Sequence, residues 1–137
     1  MFICFLIRKG GFMILVVEDN PMLARMIHRI LLRNPGLKAE EANIICASNK
    51  AEGLELFRKN KDRLRAIILD YEVPGDDGIN NTESLLVQIR EAGFSGIIVA
   101  SSGLEENSRK LVELGATCQA QKSEVSKALA KAFSGQR

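Results

Sequence analysis

The chain has 137 residues, 46% of them hydrophobic and 26% charged, with a formal net charge of +2 at neutral pH, which suits one soluble globular domain with a real core. Lys and Arg are scattered, and with no Trp, one Tyr and six Phe there is no basic stripe interleaved with aromatics of the kind nucleic-acid binding uses. Cys4, Cys46 and Cys118 lie far apart; they form neither a disulfide framework nor a zinc spacing and read as buried thiols in a reducing cytosol.

At the start, "MFICFLIRKGGFM" carries an apolar run of only seven residues with its positive charges after it. That run is too short to span a bilayer and has its charge on the wrong side for a secretory signal. Residues 1–12 therefore read as an extension packing on or beside the domain, or as a start placed upstream of a natural one at Met13; a membrane role is set aside. From Met13 onward, short β-rich runs alternate with helical patterns, the signature of βα units around a parallel sheet.

The first strand is "MILVV", residues 13–17. Asn20 and Pro21 then supply an N-cap and a first-turn proline, and Leu23, Met26, Ile27, Ile30 and Leu31 recur at helical spacing until "NPG" at 34–36. A weaker strand, "NIICA" at 43–47, leads to a helix through Leu54, Leu56 and Phe57, and "AIIL" at 66–69 is the third strand. Past a loop, Leu85, Leu86 and Ile89 mark the third helix, "IIVA" at 97–100 the fourth strand, and Leu104, Leu111, Val112 and Leu114 the fourth helix. The fifth strand, "TCQAQ" at 117–121, is polar enough for a sheet edge. A last helix shows Val125, Ala128, Leu129, Ala132 and Phe133 on one face. The reading is an α/β fold of five βα units over residues 13–137, with no room for an appended output domain.

Sites in open parallel sheets form past the carboxyl ends of the strands. There the sequence places Glu18 and Asp19 after the first strand, Asp70 after the third, Ser101 after the fourth and Lys122 after the fifth. Carboxylates gathered this closely repel, and the relief is a raised pKa or a bound hard cation, for which magnesium suits the ligand set. A carboxylate is also a nucleophile towards phosphorus, and an ammonium and a hydroxyl supply the electrostatic stabilisation that phosphoryl transfer requires. Asp76 and Asp77 in "PGDDG" read as solvated turn carboxylates, and His28 as a helix-surface residue.

"VVEDNPM" at 16–22, "IILDYEVPGDDG" at 67–78, "IIVASSG" at 97–103 and "LGATCQAQK" at 114–122, in that order, resemble the receiver domain of bacterial two-component response regulators over nearly the whole stretch from Met13 to Phe133. The resemblance implies a doubly wound, flavodoxin-like sheet of order 2-1-3-4-5 in three α/β/α layers. It implies Asp70 as phosphoacceptor, Ser101 as switch hydroxyl and Lys122 as phosphate contact. Mg2+ would be held by Asp19 and Asp70, by Glu18 directly or through water, and by the backbone carbonyl of Glu72. It implies a cytoplasmic signalling domain and no enzyme in the usual sense, promoting its own phosphorylation and dephosphorylation. Its partners would be a sensor histidine kinase or phosphotransfer protein and an unknown downstream protein, without nucleic acid or membrane; a homodimer is left open.

Three departures stand against the pattern. Gln119 occupies the position three before the lysine where the family carries an aromatic, Ser123 follows Lys122 where a proline is usual, and "INN" at 79–81 lengthens the loop after the third strand. Gln119 and Ser123 favour one alternative, a pseudo-receiver that keeps the fold as an interaction module. A second alternative, a haloacid-dehalogenase-type phosphatase, matches the acid two residues after Asp70. It has the wrong order, because its metal-binding acids follow the nucleophile.

Overall fold

The computed structural model describes residues 12–135. Five parallel strands form one sheet of order β2-β1-β3-β4-β5, where β1 is Met13–Val17, β2 Ile44–Ala47, β3 Leu64–Leu69, β4 Ile97–Ala100 and β5 Cys118–Gln119. The helices between and after them are α1 (Pro21–Arg33), α2 (Lys50–Asn60), α3 (Glu83–Glu91), α4 (Glu105–Leu114) and α5 (Val125–Gly135), with 3-10 turns at Glu41–Asn43 and Lys122–Glu124. The expected α/β order is thus observed. The segment 1–11, most of the expected N-terminal extension, lies outside the described residues; Phe12 packs edge-on against Phe133, ring centroids 5.2 Å apart.

Burial on both faces explains why the strands read as unbroken apolar runs. Successive side chains of a strand point to opposite faces, so Leu15, Val17, Ile67, Leu69, Ile98 and Ala100 meet Phe57 of α2, Leu86 and Ile89 of α3 and Leu111 of α4. Ile14, Val16, Ala66, Ile68, Ile97 and Val99 meet Ile27 and Leu31 of α1 and Val125 and Leu129 of α5. The two helical layers differ in charge. Together α1 and α5 expose Arg25, Arg29, Arg33, Lys127 and Lys131 and contain no Asp or Glu, whereas α2, α3 and α4 mix both signs.

Differences from expectation lie at the ends of elements. Asn43 belongs to a 3-10 turn, β3 begins two residues early at Leu64, and β5 is two residues long, paired only through Val99 with Cys118 and Ala100 with Gln119. Two of the three thiols also depart from expectation: Cys46 is exposed and Cys118 half-buried, because each sits on an edge strand that the helices cover incompletely, while Cys4 lies outside the described residues. Among the described residues no helix is long and apolar enough to cross a membrane.

Candidate functional site

The chain leaves β1 towards β2 on one side and returns to β3 on the other, so the sheet's winding reverses between β1 and β3 and opens a crevice at their carboxyl ends. Glu18 and Asp70 cap these two strands. The Asp70 N–H donates to Val17 O at 3.1 Å, Ser101 N–H to Leu69 O at 2.9 Å and Glu18 N–H to Ala47 O at 3.0 Å, so the ladder runs on into the site and fixes its backbone. Asn20 closes the other wall: its side chain accepts from Met22 N–H at 2.9 Å and Leu23 N–H at 3.2 Å, starting α1 beside the acidic pair.

Lys122 is the hub. Its ammonium, held by the Lys122–Glu124 turn, lies 2.5 Å from Glu18 Oε1 and 3.2 Å from Asp70 Oδ1, and it donates to Ser101 O at 2.9 Å. Glu18 and Asp70 are buried while Asp19 is exposed, and one carboxylate oxygen from each of the three falls within 4.8 Å of the others. Three carboxylates against one ammonium leave the cluster short of positive charge, and its hard oxygen donors fit a small divalent cation. Burial, reinforced by the charge of Glu18 and opposed by Lys122, pushes the Asp70 carboxyl up to about 6. An open depression of about 570 Å³ bordered by Glu18, Asp19, Asp70, Glu72, Ser102 and Lys122 leads to these groups.

Ser101 is 1% exposed, and its Oγ has no hydrogen-bond partner among the described residues. A buried hydroxyl is costly in that state. Ser102, by contrast, borders the depression, and its Oγ accepts from Leu104 N–H at 3.2 Å. Gln119 faces neither the carboxylates nor the ammonium; with Ser102, Glu105, Ser108 and Gln121 it lines a separate polar cavity of about 430 Å³.

The loop after Asp70 contains residues whose part was invisible in the sequence. Fully buried Thr82 donates from Oγ1 to Asp70 O at 2.6 Å, and its N–H to Tyr71 O at 2.9 Å, closing the loop on itself. Tyr71 N–H donates to Asp70 Oδ1 at 2.9 Å, and its hydroxyl bonds to the Glu83 carboxylate, which raises the phenol to about 12. Glu72 is exposed; its side chain accepts from Asn107 Nδ2 at 3.5 Å. Asp76 is exposed as expected, but Asp77 is not merely solvated, since Lys50 Nζ pairs with it at 3.0 Å. A threonine preceding a helix signals a cap; Thr82 makes no such bond and turns back to Asp70 instead.

No protein-family model matches the chain. It is 29% identical over 96 residues to Sensor protein TorS of Escherichia coli (strain K12), a match that takes in 68% of this chain but spans only 10% of that protein's length. It is 27% identical over 112 residues to Two-component response regulator ARR22 of Arabidopsis thaliana, covering 80% of this chain and 72% of the relative. The signal receiver domain of the DNA binding response regulator protein (merR) from Colwellia psychrerythraea 34H shares 25% identity and a TM-score of 0.70, covering 98% of its own chain. That likeness extends over 92% of this chain, and together with the observed strand order it shows that the chain has the fold of the response-regulator receiver domains it resembles.

Proposed function

We propose that this receiver domain works as a phosphoacceptor whose nucleophile is Asp70. An Asp70 carboxylate oxygen forms a bond to phosphorus while the nitrogen–phosphorus bond of a phosphohistidine breaks, and the electron pair leaves on the imidazole. The donor is a sensor histidine kinase or a phosphotransfer protein, and a downstream protein reads the product. The chain's own groups stabilise the transferring phosphoryl: Lys122, already at Asp70, bonds one oxygen, and Ser101 donates its unpaired hydroxyl to another. Asp19 and Asp70, with Glu18 directly or through water and the Glu72 carbonyl, would hold Mg2+, which when bound neutralises phosphoryl oxygens. The observation that carries this reading is the meeting of a buried Asp70, the Lys122 ammonium and an unsatisfied Ser101 hydroxyl at one sheet edge.

The test is incubation with acetyl phosphate and Mg2+, followed by intact-mass measurement of wild type and Asp70→Asn. Wild type is expected to gain one acid-stable, base-labile phosphoryl group that chelation prevents, and the variant none. Equal labelling of both, labelling of neither, or sustained turnover of small phosphate esters overturns the reading.

A further inference from the structure

Lys50 is an anomaly in this molecule. The first residue of α2, it is 7% exposed, a depth that lysine reaches only when its charge is paired. Its ammonium is fully occupied: it donates to Asp77 Oδ1 at 3.0 Å and Oδ2 at 3.1 Å, and to Ile79 O at 2.6 Å. Its backbone N–H donates to Pro74 O at 3.1 Å. The side chain passes so close to the loop that a Cβ on Gly75 would lie 2.2 Å from Lys50 Cε, and glycine is what leaves it room. Asp77 Oδ1 meanwhile accepts from Ile79 N–H at 3.0 Å, so the lengthened part of the loop folds around one cation.

Glu72 lies between this anchor and the one made by Tyr71 and Thr82. On its N-terminal side the bonds of Thr82 to Asp70 O and Tyr71 O hold the backbone, and on its C-terminal side the Pro74–Lys50 bond does. The residue so bracketed borders the depression over Asp19 and Asp70. We infer that Lys50 is a positioning residue for the cation end of the site: by gathering residues 74–79 around its ammonium it keeps the Glu72 carbonyl at the rim. This rests on the phosphoacceptor reading, since it assigns Lys50 a part in holding that site's Mg2+ without touching it. Partners one shell removed from a metal carry weight of this kind because they fix the direction of a ligand dipole.

The single tyrosine, next to Asp70 in a chain without tryptophan, makes its emission a reporter for a Mg2+ titration of the full chain. Lys50→Met keeps the backbone bond to Pro74 and removes the ammonium; its Mg2+ dissociation constant is expected to rise about tenfold or more, with faster amide exchange over residues 75–80. Asp77→Asn, a change at an exposed side chain that leaves the fold intact should Lys50→Met not survive, is expected to shift the constant in the same direction by a smaller factor. A folded variant that loses thermal stability but binds Mg2+ as wild type does shows a purely structural lysine and overturns the inference alone. Absence of any Mg2+ response in wild type overturns it together with the phosphoacceptor reading.

Discussion

At the scale of the residue, the site holds two buried groups in states that cost free energy. Ser101 keeps a hydroxyl without a partner, and Asp70 a carboxyl whose ordinary ionisation is opposed by burial. Removing an unsatisfied buried hydroxyl relieves roughly 1 kcal/mol, so Ser101→Ala is expected to raise Tm by a few degrees in the absence of phosphodonor. On the proposed reading the same change removes a donor to the transferring phosphoryl and should slow labelling by acetyl phosphate about tenfold or more. Melting curves and labelling rates on one preparation check both; a loss of stability would show that the hydroxyl has a partner in solution.

Among the elements, β1, β3 and β4 and the acids after them were legible because a strand buried on both faces must be written as an apolar run, and the residue that ends the run stands at the sheet's edge. Glu18 after β1 and Asp70 after β3 stand where that rule puts them; Lys122 follows the polar edge strand β5, and the structure brings its ammonium to both acids. What escaped depends on contacts distant in sequence. Nothing near Lys50 announces Asp77, 27 residues on, and Thr82 looks like a cap until the backbone of Asp70 is seen above it. β5 is shorter than the expected 117–121 because polar residues at an edge look alike whether or not they pair. Arg90 of α3 is a further case. Its guanidinium donates to Phe94 O, Gly96 O and Gly115 O at 2.8 to 2.9 Å and to Thr117 Oγ1 at 3.3 Å, fastening the loops that enter β4 and β5 at the end opposite the site. Arg90→Met should cost about 2 kcal/mol, roughly 6–10 °C in Tm, while phosphoryl acceptance at moderate temperature stays as in wild type. Calorimetry beside the acetyl phosphate assay separates the two effects.

For the whole molecule, the proposed function links protonation and cation binding through Asp70. Its carboxyl titrates near 6 in the folded chain, above its ordinary value, so the folded state binds a proton that the unfolded chain releases. Its contribution therefore favours folding at acid pH and is lost as pH rises through about 6. In chelator, Tm should gain from this group as pH falls from about 7.5 to 5.5, whereas Mg2+ at ten times its dissociation constant should add about 1.4 kcal/mol near pH 7.5 and less near pH 5.5, where protons compete for the carboxylate. Thermal melts at both pH values with and without Mg2+ measure this; a Mg2+ increment that grows towards acid would exclude Asp70 as a ligand. One feature of the fold reaches beyond the site. Arg25, Arg29, Arg33 and Lys131 of α1 and α5, with Lys127 paired to Glu124 at 3.3 Å, give that layer a positive bias that a net charge of +2 conceals. Such a bias would turn that layer first towards an anionic partner, leaving the sheet edge that bears Asp70 at its flank. At physiological salt the pull extends about 8 Å, so it acts in the last moments of an encounter, as alignment more than capture.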